Sequence, residues 1–511
     1  MKNKKPIIFS ALLALLVCSC DKTPSQSIAE STPSTPSVIP SETITPSETI
    51  KPSESTKPTP PSVQPSTPDE FDRDLYVSAT STNYEAKGTL EDPMMLRFAI
   101  RESRPGRTIW LMDGTYSYGS TIMMDSTTEQ FLAANAEEGK VLRPINPGKA
   151  VFDFSDMAWA SANRGIQVNS SFWHIRDLEV FGSGDNGIYI GGSHNIVENC
   201  VTHDCGDTGI QLGRANSAQL TIDQWPSYNL IKNCTSYDNH DPLGEDSDGF
   251  ACKLTTGVGN VFDGCIAYNN VDDGWDLYTK GDTGPIGSVT LINCIAFNNG
   301  VTSGKNTDGL PYGTPNSDGN GFKLGGEVIA VPHVVKNCIA FNNLACGFTD
   351  NSNPGPLWLE NCTSYNNALR DYDSNNFDMC RDENTSVNYL KNLLSYCDTN
   401  VKFTDDTTKN FNSKDQFKGT VVNTLFYYGR TLLRFKGINE ADYTVATMMG
   451  ELIKCENTPF VSTQIPDELS NFHEIWRDEN GNIKLGDFLK VKDEFVQEAF
   501  GESFALGADL A

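Results

Sequence analysis

Apolar runs of strand length, separated by Gly, Asn and Asp turns, fill the chain from about residue 75 onward, and they carry no helical period. Such runs predict strands rather than helices. Two stretches differ: the tail, helix-prone in places including "DFLKVKDEFVQEAF", and an earlier one. "LYVSATSTNYEAKGTLEDPMMLRFAIRESRPGRTIWLMDGTYSYG" reads as strand, turn, amphipathic helix and strand, with Leu96, Phe98, Ala99 and Ile100 in the helix and Pro105-Gly106 beyond its end. A helix there would cap an open sheet edge that otherwise invites aggregation.

The strand runs repeat. "ENCVTHD" (Cys200), "KNCTSYDN" (Cys234), "DGCIAYNN" (Cys265), "INCIAFNNG" (Cys294), "KNCIAFNN" (Cys338) and "ENCTSYNN" (Cys362) share one pattern. Their cysteines are spaced by 34, 31, 29, 44 and 24 residues. A repeating core of about 22 to 25 residues with insertions explains that series. Each unit carries a second piece of the form (Asn/Asp/Thr)-Gly-apolar: "DNGIYI", "DTGIQL", "DGFACKL", "DGWDLY" and "NGFKL". The predicted architecture is an all-β parallel β-helix, a solenoid whose rungs stack about 4.8 Å apart. Equivalent residues then form ladders. The Asn before each Cys is expected to stack in a turn, and the cysteines just inside, as free thiols, with some disulfides the alternative in an exported chain.

The N-terminus adds an address. "MKNKKPIIFSALLALLVCSC" has a basic start and a short apolar run, and reads as a signal peptide. Ser19 before Cys20 resembles a bacterial lipobox, so Cys20 is the expected lipidation site and membrane anchor. The Ser/Thr/Pro-rich stretch that follows cannot bury enough apolar surface to fold and reads as an extended tether. The expected organisation is a signal peptide at 1–19, a tether at 20–70, a solenoid at 71–437 and a C-terminal coil or capping segment at 438–511. That last segment is expected to cover the far end of the stack. The chain is expected to be a monomeric bacterial lipoprotein, exported and anchored at the cell surface or outer membrane, or released from it.

The formal charge of −27, from 66 acidic against 39 basic residues, argues against nucleic acid as a partner. It suits a binder of hard divalent cations. Aligning the repeats on Gly187, Gly209, Gly249, Gly274, Gly321 and Gly347 shows where the acid gathers. The position before these glycines holds Asn186, Thr208, Asp248, Asp273, Asn320 and Cys346. Two positions after them stand Tyr189, Gln211, Ala251, Asp276, Lys323 and Thr349. Stacking puts Asp248 and Asp273 one rung apart, with Asp272 and Asp276 flanking the same turn. Four crowded carboxylates repel one another unless a cation such as Ca2+ joins them. The alternative is that they splay into solvent as turn residues. Lys323 falls one rung beyond Asp276, where a bound cation would lower its pKa toward that of a general base. Its alternative role is a structural ion pair. Lys253 and Lys280 are candidates for binding substrate, and Lys253 is also a rival base.

The segments "DGFACKLTTGVGNVFDGCIAYNNVDDGWDLY" and "DGNGFKLGG" together resemble polysaccharide lyase family 9, the pectate lyases and their rhamnogalacturonan-cleaving relatives. The resemblance extends more loosely from about Leu75 to Gly437. It implies a right-handed β-helix of about ten coils, calcium held by Asp248, Asp272, Asp273 and Asp276, and Lys323 as the catalytic base. The implied substrate is an acidic plant polysaccharide, pectin, with polygalacturonate expected ahead of rhamnogalacturonan, and the implied reaction is β-elimination. A hydrolase on the same fold, using paired carboxylates, and a non-catalytic carbohydrate-binding β-helix are the competing readings.

Overall fold

The computed structural model describes residues 70–125, 134–304, 318–369, 374–379, 388–398, 415–428, 431–442, 450–465 and 476–510. Cys20, the signal segment and the tether up to residue 69 lie outside the described residues.

From Leu75 onward the chain winds through repeated coils of three short strands, each paired in parallel with its counterpart one coil on. A representative coil runs Ile188–Ile190, Ile196–Glu198 and Val201–His203. These belong to a first, second and third stack of strands. The result is a parallel β-helix. Parallel crossovers of this kind wind right-handed for the same steric reason that twists single strands.

The sharp corner between the second and third stacks falls at the Asn of the repeated Asn-Cys dipeptide, at Gly264 in one coil and at Asn392 before Leu393 in the last. Asn199, Asn233, Asn293, Asn337, Asn361 and Asn392 all have φ between 52° and 55°, a left-handed conformation that Asn tolerates better than most residues. Some of them bond along the axis, as Asn337 Nδ2 does to Asn293 Oδ1 at 2.7 Å. The longer ladder is a different one, built from the Asn two residues past the third strand of each coil (the second Asn of the "NN" turns, and Asn239 in "DN") and ended by Asn376, which takes the glycine position of its coil. Asn239, Asn270, Asn299, Asn343, Asn367 and Asn376 are buried and donate side chain to side chain at 2.8, 3.0, 2.9, 2.8 and 3.1 Å. The cysteines stack inside the coils as expected, and none of the described ones forms a disulfide.

The core is thin where the third stack turns into the first. Ala267, Ala296 and Ala340 point inward there, and the ladder asparagines lie beside them. A Cβ on Gly274 would come 2.9 Å from both Ala296 Cβ and Asn299 Nδ2, which is why the motif needs glycine. The next residue of each motif points in. Phe250, Trp275, Phe322, Phe348 and Phe377 stack with centroids 4.7–5.0 Å apart. The residue after that points out, onto the face that carries the cleft.

Helix α1 (Leu96–Glu102) closes the N-terminal end, burying Leu96, Ala99 and Ile100 against the first strands. At the other end Gln416–Tyr428 pairs in parallel with Asn388–Lys391 and turns back on Thr431–Asp442 as a long antiparallel hairpin. This hairpin, not the terminal segment, ends the stack. The segment beyond it lies along the flank of the third stack. The outer faces of those strands are apolar, with Tyr237, Tyr268, Phe297 and Phe341 stacked at 4.8–4.9 Å. Trp476 covers Phe297 at 5.2 Å and Phe488 covers Phe341 at 5.2 Å. Helix α2 (Asp493–Phe500) adds Phe495, Val496, Ala499 and Phe500 to the same cluster. Leaving that flank exposed would forgo roughly 2 kcal/mol for each large side chain, and the tail is the piece that covers it. Among the described residues no helix is long and apolar enough to cross a membrane.

Asn299→Ala should lower stability by about 2–3 kcal/mol in a denaturant titration, because it orphans buried amides on both neighbouring rungs. Asn269→Gly, at a half-buried residue with φ of 54°, should change stability by less than about 1 kcal/mol, since glycine adopts that conformation freely. Equal losses for the two would refute the assignment of the inner ladder as the stabilising one.

Candidate functional site

The outward ladder of the first stack reads Tyr189, Gln211, Ala251, Asp276, Lys323 and Thr349, each paired directly with the next. Lys323 therefore stands one rung from Asp276, in the register of the glycine alignment. Before the glycines, Asp248 and Asp273 lie on adjacent rungs, and Asp273 N–H donates to Asp248 Oδ1 at 3.2 Å. An oxygen from each of Asp248, Asp272 and Asp273 falls within 4.8 Å of the other two, and all three residues are buried.

Asp276 flanks this trio and is tied to a lysine. Its Oδ2 lies 3.1 Å from Lys253 Nζ, and its Oδ1 accepts the Tyr278 N–H at 3.0 Å. Lys253 also reaches Asp248 Oδ2 at 2.7 Å. It does so from two positions past Ala251, on the same outward face of the coil. Lys323 Nζ lies 3.1 Å from both Asp273 Oδ2 and Asp318 Oδ2, and 5.7 Å from the centroid of the Tyr278 ring. Lys280 is exposed on the rim of the same cleft. The cleft has a volume of about 550 Å³, and Glu245, Asp246, Leu254 and Asn351 complete its walls.

Several residues that hold this arrangement received no role from the sequence. Thr208 Oγ1 donates to Asp248 Oδ2 at 3.0 Å. Asn320 donates both its backbone N–H, at 2.6 Å, and its side-chain Nδ2, at 2.8 Å, to Asp273 Oδ1. Asp318 N–H donates to Asp272 Oδ1 at 2.7 Å. A signal for Asp318 was present: "DGNGFK" places it five residues before Lys323, the same separation that joins Asp248 to Lys253.

The electrostatics are unbalanced. Four buried aspartates face two lysines, one of them shared with Asp318, so at least two carboxylates lack a protein counter-ion. Burial pushes Asp248 and Asp272 well above the usual carboxylate range, and neighbouring aspartates add to the effect. Burial likewise raises Asp273 to about 6, although Lys323 opposes the shift. For Lys323 burial disfavours the charge, but Asp273, Asp276, Asp272 and Asp318 together outweigh it and hold the ammonium well above its ordinary value. Asp273 Oδ2 is buried and accepts no hydrogen bond, despite lying beside Lys323. An all-oxygen donor set with an unsatisfied oxygen and excess negative charge fits a calcium ion, which takes six to eight oxygens in irregular geometry.

Residues 75–390 match the family model described as "Pel9A-like, right handed beta helix region". The chain belongs to the Pel9A-like right-handed β-helix family. The matched span contains every residue of the cleft named above. Among relatives, "Pectate lyase L" of Paenibacillus polymyxa (strain SC2) is 42% identical over 421 residues, covering 82% of this chain and 81% of that protein. Among solved structures, "Crystal structure of pectate lyase Pel9A" superposes with a TM-score of 0.57 at 25% identity, covering 83% of this chain and 90% of that one. A structure titled "Rhamnogalacturonan lyase" gives a TM-score of 0.60 at 22% identity, covering 85% of this chain and 99% of that one, a likeness of fold. As a Pel9A-like protein the chain is a polysaccharide lyase, a carbon–oxygen lyase.

The pH dependence of the metal-free protein follows from the raised carboxylates. An aspartate whose folded pKa is raised costs nothing below its unfolded value near 3.9 and costs progressively more as pH rises through the folded value. For Asp273 that window runs from about 4 to about 6. In chelator at pH 8, Asp272→Asn should therefore be more stable than wild type by about 1–3 kcal/mol. In millimolar calcium the order should reverse, because the cation stabilises only the folded state that binds it. Thermal melts of both proteins in both buffers check this. A variant less stable than wild type in chelator would show that the cluster is not repulsive.

Proposed function

We propose that this Pel9A-like lyase is a calcium-dependent pectate lyase that cleaves polygalacturonate by β-elimination, with Lys323 as general base. One observation carries the proposal: three buried carboxylates converge beside an open cleft, and a lysine lies one rung further along the same face. The name of the 42%-identical relative supports the choice of substrate.

Asp248, Asp272 and Asp273 would hold the calcium, with Asp276 alongside. When bound, calcium supplies the positive charge that a uronate carboxylate needs against this acidic wall, and it acidifies the C5 proton alpha to that carboxylate. The protein's part is orientation and proton transfer. Asn320 and Thr208 fix the carboxylates from either side. Lys323 is now the counter-ion of Asp273. Once the carboxylates have a divalent partner, that role lapses and burial favours the neutral amine. Neutral Lys323 takes the C5 proton, the electron pair forms the C4–C5 double bond, and the C4–O bond breaks. The departing oxygen takes a proton from water. Activity should accordingly rise toward alkaline pH. Lys253 and Lys280 bind the substrate from the cleft wall and rim in this reading.

The test is ultraviolet absorbance of the unsaturated product from polygalacturonate and from rhamnogalacturonan, with calcium or with chelator. Absorbance that grows on polygalacturonate only with calcium is expected. Reducing ends without absorbance would mean hydrolysis, and no cleavage of either polymer would favour a binding module. Lys323→Ala should lower kcat by at least about 10²-fold while calcium binding persists. Full activity in that variant would move the base assignment to Lys253.

The chain is further proposed to be an exported lipoprotein anchored through Cys20, a reading supported by the N-terminal sequence alone. Cys20→Ser should then shift the protein from the membrane fraction to the soluble one. An unchanged distribution would remove the lipid anchor.

A further inference from the structure

Beyond Lys253 and Lys280, which serve the sugar at Lys323, the cleft is lined by Glu245, Asp246 and Asp318, which disfavour a further uronate carboxylate. Toward the C-terminal end the outward ladder continues through Thr349 to Asp378, with no cation. Toward the N-terminal end it reaches Tyr189, three rungs before Asp276 and four before Lys323, or about 14 and 19 Å.

A cation is built onto the ladder there. The Arg164 guanidinium carbon lies 3.4 Å from the centroid of the Tyr189 ring. Tyr189 is itself pinned by its hydroxyl, which donates to Arg214 O at 2.9 Å. Stacking fixes the plane of the guanidinium without using up its donors. Its acidic neighbour holds it loosely. Arg164 Nε and Asp185 Oδ2 are 3.4 Å apart, a long contact for an ion pair. Burial and the adjacent Asp207 raise Asp185 to about 7 against the opposing pull of Arg164, so Asp185 is a weakened counter-ion. The loop carrying Arg164 also presents Trp159, 54% exposed, with its Nε1 anchored to Gly206 O at 2.9 Å. Gly206-Asp207 begins the turn that leads to Thr208 and Gly209, so Trp159 stands over the edge of the same face. An exposed indole suits the apolar face of a pyranose, and a flat guanidinium suits a carboxylate, which it can grip with two parallel N–H bonds.

We propose that Arg164, stacked on Tyr189 and accompanied by Trp159, forms a distal subsite that grips a carboxylate of a long uronate chain several sugar units from the bond being cleaved. This rests on the uronate-polymer reading of the cleft and adds a specificity determinant to it. Short oligomers bound across Lys323 do not reach four rungs; polymers do. Arg164 thus makes the enzyme favour long chains.

The experiment compares kcat and KM for wild type, Arg164→Gln and Arg164→Lys on polygalacturonate and on trigalacturonate, with thermal melts alongside. In Arg164→Gln the ratio of polymer to trimer kcat/KM should fall about tenfold, the loss expected for one charge-assisted hydrogen bond, and it should appear in the polymer KM. Arg164→Lys should recover part of it, keeping the charge but not the stacked fork. A ratio equal to that of wild type overturns the subsite, whether both substrates are retained or both lost through a weakened fold. If wild type cleaves polygalacturonate and the ratio does not move, only the subsite falls. If wild type cleaves no uronate substrate, the substrate reading falls and takes the subsite with it.

Discussion

Parallel pairing of each coil with the next, residue opposite equivalent residue, is the constraint on which the rest of this molecule depends. Asp276 opposite Lys323 and Trp275 opposite Phe322 are one instance of it. A slip of one residue would turn Asp276 into the core and Trp275 into the cleft. The register is held from inside. The stacked Phe250, Trp275 and Phe322 rings, the Asn270–Asn299 amide bond and the glycine that fits between Ala296 and Asn299 each tolerate one alignment. Chemistry on the outer face is therefore positioned by packing on the inner face, a few ångströms away.

That rigidity allows an arrangement that would otherwise relax. Buried like charges normally move apart, take up protons or reach solvent. Here Asp248 and Asp273 are fixed by backbone on adjacent rungs, and hydrogen bonds from Thr208 and Asn320 hold their oxygens. Lys253 and Lys323 partly compensate them from neighbouring outward positions. The same lysine can be a counter-ion or a base according to what else neutralises Asp273, so the acidic cluster and the base form one electrostatic unit.

The terminal segment shows the limit of reading strands one coil at a time. Sequence pattern marks "IAF" as a strand but not as one buried on both faces. Ala296 packs inward while Ile295 and Phe297 face a second apolar cluster under Trp476 and Phe488. Nothing near Phe297 in the chain names its cover, which lies well over a hundred residues away. The end of the stack is closed instead by the hairpin of Gln416–Tyr428 and Thr431–Asp442.

Much of the site was legible because a solenoid turns sequence period into spatial position. Once the glycines are aligned, Asp248, Asp273, Asp276 and Lys323 are placed along one axis by counting, with the spacing set by backbone hydrogen bonds. Local chemistry also determined the corners, since Asn and Gly take the left-handed conformation that those turns require. Tertiary structure alone decided what lies across the rungs. It tied Asp276 to Lys253, brought Asp318 onto Lys323, seated Arg164 on Tyr189, and laid the tail along the flank. These contacts depend on side-chain reach and on loops of variable length, which no repeat period encodes.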